Sequence, residues 1–376
     1  YHGGGGEWMA RVAVAMSGGV DSSVAAALLV QAGHEVVGFT LNLWPAWLPE
    51  EGNPHACCGV GAVEDARATA HHLGIRHYVL NFREAFEEAV VRPFAEEYAR
   101  GRTPNPCVAC NRHVKFSLLL DRARSLRMDF LATGHYVRTR RDGAVVRLLR
   151  AVDVRKDQSY VLCGLTQREL THILFPLGEL RKDEVRQLAR ELKLPVADKP
   201  ESQEICFAPS GRYTEVVARL APHGLRPGPI YDLQGKRVGT HQGLARYTLG
   251  QRRGLGVAAG RPLYVVAMDP DRNALFVGSE EDARAVELVV DDVTWTVRPP
   301  EVPRFRAQVQ IRHGAPAADA WLEVGPRVRV RFDVPQWLTS PGQVACFYVG
   351  EEVLGGGTVA EVVTVAADRL VEPAAV

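Results

Sequence analysis

Between residues 11 and 32 the chain passes from a short apolar run, Arg11–Met16, through Ser17-Gly18-Gly19-Val20-Asp21-Ser22-Ser23, into the Ala/Leu/Val-rich stretch Ser22–Ala32, closed by Gly33. An apolar run bounded by a glycine turn reads as a buried strand, and glycine after a helical stretch reads as its stop. The alternation then repeats. Glu35–Leu43 reads as strand, Val63–Leu73 as helix, Arg76–Leu80 as strand, and Glu84–Arg100 and Val114–Leu126 as helices. Asp129–Thr133 reads as another strand and Arg181–Leu192 as an amphipathic helix. Strands alternating with helices predict βαβ units, hence an α/β fold with a parallel sheet covered on both faces.

The pattern changes after about Gly211, where Gly and Pro become frequent and helical periodicity largely stops. Arg261–Met268, Ala274–Gly278 and Val286–Thr296 read as strands. Arg304, Arg306, Gln308, Gln310 and Arg312 alternate with Phe305, Ala307, Val309 and Ile311, and Arg327, Arg329 and Arg331 alternate with Val328, Val330 and Phe332. A period of two places the arginines on one face of a strand and the apolar residues on the other. The second half is therefore expected to be a small mixed linking domain followed by a β-barrel. The arginine faces suit phosphate contacts; the plain alternative is a solvated strand surface.

No stretch of this 376-residue chain reaches the ~20 apolar residues of a bilayer span. The Gly-rich stretch Tyr1–Trp8 lacks the apolar core of a signal peptide and reads as a leader ahead of Met9. Seven cysteines in so long a chain argue against a secreted disulfide framework and for a reducing, cytoplasmic setting. With a net charge of +1, any nucleic-acid surface must be local.

The loop Ser17–Ser23 has the chemistry of a phosphate cradle. Its glycines allow close backbone approach, the N–H groups at the helix start favour an anion, and the serine hydroxyls add donors. Asp21 is placed to hold Mg²⁺ beside a pyrophosphate. The Gly-Lys-Ser/Thr ending of a Walker loop is absent. The pattern instead resembles the PP-loop of N-type ATP pyrophosphatases, which cleave ATP to AMP and pyrophosphate.

Three cysteine contexts carry further chemistry: Arg102-Thr103-Pro104-Asn105-Pro106-Cys107-Val108-Ala109-Cys110-Asn111, Glu201-Ser202-Gln203-Glu204-Ile205-Cys206-Phe207, and Cys57-Cys58. Cys110 is read as lying just ahead of a helix beginning near His113, where the helix dipole, Arg112 and Lys115 favour a thiolate. Such a thiolate meeting Cys206 in space would carry a persulfide or form a transient disulfide. Cys107 and Cys110 form a Cys-x-x-Cys that also suits zinc, a redox pair or, with Cys206, a 4Fe–4S cluster with one open iron. No second Cys-x-x-Cys completes a zinc site. Cys163 and Cys346 read as small buried hydrophobes. For Cys57 and Cys58, burial and function stay open.

Together the loop and the cysteine contexts resemble the tRNA-specific 2-thiouridylase family of bacterial or mitochondrial type, over nearly the whole chain from Met9. The resemblance includes Leu131-Ala132-Thr133-Gly134-His135-Tyr136, Lys156-Asp157-Gln158-Ser159-Tyr160, Phe175-Pro176-Leu177-Gly178 and Tyr247-Thr248-Leu249-Gly250-Gln251-Arg252-Arg253-Gly254-Leu255-Gly256. It implies a PP-loop ATP pyrophosphatase domain over 9–208, a central linking and tRNA-binding domain over 209–282, and a C-terminal β-barrel over 283–367. It also implies that Ala15, Met16, Ser17, Gly18, Gly19, Val20, Asp21 and Ser22 bind ATP, that Leu41 lies against the adenine and that Gly134 contacts the nucleotide. Cys206 would receive persulfide sulfur and Cys110 would resolve it. Asn105, Pro106 and Cys107 would sit beside the target base, and His135, Lys156, Asp157, Gln158, Arg312, His313 and Gln343 would contact tRNA. The implied partners are the Lys, Glu and Gln tRNAs and a persulfide sulfur-carrier or cysteine desulfurase relay.

One departure matters. Many family members have an aspartate, the proposed general base, where this chain has Cys107. A thiol acts as a base only with a lowered pKa, so Cys107 puts that assignment in doubt and strengthens the cluster reading. The resemblance implies attack of the uracil O2 on the ATP α-phosphorus, then attack of sulfur on C2, with the base flipped from its stack. The competing readings are a PP-loop ligase or amidotransferase acting on a small molecule, and a non-catalytic RNA-binding protein that kept a nucleotide loop.

Overall fold

The computed structural model describes residues 9–45, 47–48, 60–201, 205–208, 211–299 and 301–369, and Cys57 and Cys58 lie outside them. Internal contacts divide the chain into two units: 1–90 with 107–210 and 351–353, and 91–106 with 211–350 and 354–376.

In the first unit, β1 (Arg11–Ala15) leads into α1 (Val20–Gln31), β2 (Glu35–Asn42), α2 (Val60–His72) and β3 (Arg76–Asn81). A helical run over 83–99, α3, follows, of which 83–90 belong to this unit and 91–99 to the second. Then come α4 over 106–125, β4 (Phe130–Ala132), β5 (Arg138–Asp142), β6 (Val145–Leu149), β7 (Ile173–Leu174) and α5 (Lys182–Glu191). Strands β3-β2-β1-β4-β7 form a parallel five-stranded sheet. Val12, Val14 and Met16 pack with Ala66 and Ala70 of α2 on one side, whereas Val20, Val24 and Ala25 of α1 pack with Val185 and Ala189 of α5. The order reverses at β1: its crossover runs to β2 on one side while β4 pairs on the other. Open parallel sheets bind ligands at such a switch point, outside the carboxyl ends of the strands.

In the second unit, α6 (Tyr213–Leu220) packs against Arg92–Ala99, with the Tyr98 and Tyr213 rings 4.7 Å apart. Four strands follow, β8 (Gly228–Asp232), β9 (Arg237–His241), β10 (Tyr264–Asp269) and β11 (Ala274–Gly278), ordered β10-β11-β8-β9. Then β12 (Arg284–Trp295), β13 (Arg304–Gln310), β14 (Ala318–Glu323), β15 (Val328–Trp337), β16 (Val344–Val349) and β17 (Glu352–Thr364) close into a six-stranded barrel through the β12–β17 pairing. The period of two holds: Leu322, Val330 and Phe347 are buried inside the barrel core, while the arginines of β13 and β15 point outward.

Three local expectations are corrected. The helix that carries Cys110 starts at Pro106, not near His113. Proline is pre-organised for a first helical turn, and the run widens to i→i+5 hydrogen bonding over Cys110–Leu119, which removes the 3.6-residue signature from the sequence. A helix, α6, also forms beyond Gly211. It is amphipathic, with Val216 and Val217 buried, but its eight residues fall short of the window over which a helical period is counted. The hairpin β5–β6 was not foreseen, since its arginines hide the strand pattern.

Gly134 follows β4 and lies against α1. A Cβ there would sit 2.6 Å from the Ser22 backbone nitrogen and 2.7 Å from the Asp21 carbonyl carbon. We expect Gly134→Ala to destabilise the first unit by roughly 1–3 kcal/mol, because backbone on both sides must shift. Urea unfolding would read this as a lower midpoint at unchanged slope.

Candidate functional site

The Ser17–Ser22 loop leaves β1 at the switch point. Gly18 has φ +66°, and a Cβ there would lie 2.3 Å from the Ala62 carbonyl oxygen, so only glycine fits against α2. The Ser17 N–H donates to Ser22 Oγ at 3.1 Å, and Ser23 Oγ donates to the Gly19 carbonyl at 2.9 Å. These bonds fold the loop around the start of α1, where N–H groups without intrahelical partners and the helix dipole favour an anion. Leu41, 7% exposed, lies at the carboxyl end of β2, and Gly134 follows the carboxyl end of β4. The expected nucleotide residues Ala15–Ser22, Leu41 and Gly134 thus gather at one end of one sheet.

The first unit also brings in residues that sequence reasoning missed. Lys182, at the first position of α5 and 7% exposed, places Nζ 2.6 Å from Asp21 Oδ1 and 2.8 Å from Glu201 Oε1. The Tyr136 hydroxyl donates to Asp21 Oδ1 at 2.8 Å. Lys156 Nζ reaches Glu201 Oε2 at 2.6 Å. Lys199 donates to the Gly18 carbonyl at 3.0 Å and pairs with Asp65 of α2. Lys182 was legible only as the polar edge of an amphipathic helix, and its sequence separation from Asp21 gave no signal. Burial raises the Tyr136 phenol far above its ordinary value, and the Asp21 charge raises it further, so it stays a neutral donor. Burial alone would raise the Glu201 carboxyl. Hydrogen bonds from Lys156 and Lys182, and their charges, outweigh that and hold it at about 2 against an ordinary 4.5.

The other expected contacts are partly engaged within the protein. Asp157 accepts from the Ala151 N–H at 3.0 Å, the Ser159 hydroxyl at 2.7 Å and Arg150 at 3.1 Å. Gln158 Oε1 accepts from the Tyr136 N–H at 2.9 Å. His135 Nδ1 lies 2.7 Å from Thr133 Oγ1, with its ring 5.7 Å from Phe116. In the second unit, Gln343 donates to the Thr103 carbonyl at 2.7 Å and the Thr103 N–H donates to the Pro341 carbonyl, which fixes the Pro-rich loop before Asn105 and Pro106. Arg312 and His313 are exposed, and the Arg312 guanidinium donates to the Leu338 carbonyl at 3.0 Å.

Cys107 is exposed, Cys110 is buried and Cys206 is intermediate. Cys110 is the fifth residue of its helix, beyond the first turn where the dipole acts, so the expected dipole activation does not apply. Phe207 packs edge-on to Phe86 at 5.7 Å, and the Arg83–Phe86 turn packs on the Cys110–Leu119 segment. Asn111 donates to the Val161 carbonyl, yet its buried Oδ1 has no hydrogen-bond partner among the described residues. Cys163 and Cys346 are fully buried, as expected.

Among the described residues no group of three His, Cys, Asp or Glu side chains could hold a metal ion, and Cys107, Cys110 and Cys206 do not form one. A phosphate-borne Mg²⁺ needs only one or two protein carboxylates, and Asp21 fits that role.

The arginine faces of the barrel are paired across strands. Arg304 lies 3.6 Å from Glu323, Arg306 pairs with Asp333, Arg327 with Asp291 and Glu361, and Arg329 with Glu287 at 2.8 Å. Arg304 and Arg306 also stack over Trp321. Arg252 and Arg253 are exposed in the Gly-rich loop before β10.

The Glu201 carboxylate is held below its unfolded value. Its stabilisation is therefore complete above pH 4.5 and is lost as pH falls towards 2. We expect Glu201→Gln to flatten that part of the stability curve, measured as the difference in urea midpoint between the two proteins from pH 5 to about 2.5. A parallel acid loss in both proteins would refute the linkage.

Profiles for three families match in order: "tRNA methyl transferase HUP domain" over residues 10–210, "tRNA methyl transferase PRC-barrel domain" over 216–279 and "Aminomethyltransferase beta-barrel domain" over 285–359. The chain is 50% identical to the tRNA-specific 2-thiouridylase MnmA of Symbiobacterium thermophilum, covering 95% of this chain and 94% of that one. It is 49% identical to the protein of the same name from Carboxydothermus hydrogenoformans, covering 93% and 97%. Among solved structures, a 4-thiouridine synthetase–RNA complex with bound ATP is similar at TM-score 0.34 and 18% identity, covering 57% of this chain and 52% of that one.

Proposed function

The chain belongs to the tRNA-specific 2-thiouridylase family, and from that premise we propose that it uses ATP to replace the C2 oxygen of a tRNA uridine with sulfur carried by Cys206. It is a transferase that forms 2-thiouridine in tRNA. What carries the reading of ATP use is the Ser17–Ser22 loop at the switch point of a parallel sheet, in a chain of this family.

The chemistry follows from the leaving group. The uracil O2 attacks the α-phosphorus of ATP, N3 gives up its proton, and pyrophosphate departs. The loop N–H groups stabilise the charge on that pyrophosphate, and Mg²⁺ held by Asp21 would add to this when bound. The terminal sulfur of a Cys206 persulfide then attacks C2, and AMP leaves with the former O2. The Cys110 thiolate attacks Cys206 Sγ and breaks its bond to the transferred sulfur. The products are a Cys110–Cys206 disulfide and a thiocarbonyl whose N3 regains its proton. An external thiol reduces the disulfide, and a persulfide sulfur-carrier or a desulfurase reloads Cys206. Wobble uridine of the Lys, Glu and Gln tRNAs is the proposed substrate, and the cytoplasm the proposed compartment. Asn105–Cys107 are the proposed base contacts. His135, Lys156, Arg312 and His313 are the proposed tRNA contacts, with Asp157, Gln158 and Gln343 acting through the loops they fix.

Two experiments test this. Cys206→Ser should abolish 2-thiouridine in cellular tRNA, whereas Cys110→Ser should trap a reducible enzyme–tRNA adduct; normal thiolation by either variant would sink the persulfide route. The wild-type enzyme purified anaerobically should be colourless, iron-free and active. Stoichiometric iron, with activity lost on its removal, would overturn the reading in favour of a cluster.

A second set of variants separates the basic segments. Arg252→Ala with Arg253→Ala should lower the slope of log affinity for tRNA against log salt by roughly one to two units. Arg304→Ala with Arg306→Ala should change it less, since carboxylates on β14 and β15 already hold those guanidinium groups. Equal slopes in the two double variants would contradict this assignment.

A further inference from the structure

Glu201 lies five positions before Cys206, and its two carboxylate oxygens are divided between two lysines. Lys182 spans from Glu201 Oε1 to Asp21 Oδ1 in the first turn of α1. Its backbone N–H is held by Asp153 Oδ2 at 3.0 Å, so the start of α5 is fixed as well as its side chain. Just past Cys206, the Phe207 ring, 2% exposed, packs edge-on to Phe86. The turn carrying Phe86 packs on the segment that begins at Cys110.

We infer that Glu201 is a positioning residue for sulfur transfer: through Lys182 it ties the segment bearing Cys206 to the nucleotide loop, while Phe207 ties the same segment to the Cys110 side. The inference rests on Cys206 being the sulfur carrier. The physical argument is one of charge. A buried ammonium between two carboxylates is favourable only while both stay close, and removing one partner of such a pair costs far more than an exposed ion pair is worth. Lys182 therefore resists any movement of Glu201 away from Asp21. Lys156 holds the other oxygen of Glu201, so the carboxylate cannot turn without losing one of its cations. A near-attack geometry depends on this kind of restraint, since small misplacements of a reacting atom are costly.

The restraint predicts a split between the two half-reactions. Enzyme preloaded with ³⁵S-persulfide on Cys206 is mixed with ATP and tRNA in a single turnover, and pyrophosphate release and ³⁵S appearing in tRNA are followed separately. Glu201→Ala and the near-isosteric Glu201→Gln should release pyrophosphate within about threefold of wild type but transfer sulfur about tenfold or more slowly. Glu201→Asp, which keeps the charge on a shorter arm, should recover part of the loss. Lys182→Met, which also strips Asp21 of its cation, should slow both steps. Iodoacetamide should modify Cys206 faster in nucleotide-free Glu201→Gln than in wild type, while buried Cys163 stays unmodified as the check on folding. Parallel losses of both half-reactions in Glu201→Gln, or sulfur transfer at the wild-type rate, would overturn the inference alone. No transfer from persulfide-loaded wild-type enzyme would instead overturn the sulfur-carrier reading, and this inference with it.

Discussion

The close approach of Gly134 to the first turn of α1 sets where everything else in the first unit can go. The backbone that follows β4 touches the Asp21 and Ser22 backbone directly, with no room for a side chain between them. On its other flank the loop meets α2, where Gly18 presses on Ala62. A turn clamped from both sides can direct its N–H groups at one point, which a loop in solvent cannot. Lys199 holds the Gly18 carbonyl from outside and pairs with Asp65, so the turn is fixed by a charge as well as by contact.

That clamp also explains the electrostatics. Unlike a Walker loop, Ser17–Ser23 contains no lysine of its own. The fold supplies one from α5: Lys182 sits against Asp21, with the neutral Tyr136 hydroxyl on the same carboxylate oxygen. The carboxylate thereby has a cation and a neutral donor on one oxygen. Glu201 provides the second counter-charge, and its depressed pKa is the signature of two cations acting on one carboxyl despite partial burial. The result is a chain of alternating charges running from Lys156 through Glu201 and Lys182 to Asp21.

The parts of the molecule that follow from local rules were legible in the sequence. The strand–loop–helix unit announced itself through Gly18 and Gly19, and the barrel strands through the alternation of arginine with valine and phenylalanine. What was hidden has physical reasons. Lys182 and Glu201 meet Asp21 only through the tertiary fold, and no periodicity encodes a contact across such a separation. The start of α4 was misplaced because a π-widened helix has no 3.6-residue stripe and because proline reads as a loop signal until its position at a helix start is seen. The arginine stripes showed their direction but not their partners. The acids that pair with them lie on other strands, adjacent or next but one, and strand order cannot be read from one strand.

The different exposures of the three thiols bear on how a persulfide enzyme avoids wasting its sulfur. A carrier cysteine must be reached by a donor, and Cys206 is partly exposed. A resolving thiol with equal access would attack the persulfide at once and expel hydrosulfide before any base was activated, since exchange rates depend on access as well as on thiolate character. Cys110 is buried in the widened part of α4 and has lost the first-turn position that would have favoured its thiolate. In the persulfide route proposed above, both features would keep it quiet until the base and the persulfide are in place. Cys107 has the opposite character, exposed one turn earlier on the same helix. In the proposed reaction a thiol there takes over the role of an aspartate base only with a lowered pKa. Proton removal from N3 by water, once O2 has bonded to phosphorus, would need no such base in that proposed reaction. That is chemically reasonable, because adenylation of O2 itself acidifies N3 and lessens the need for a strong base.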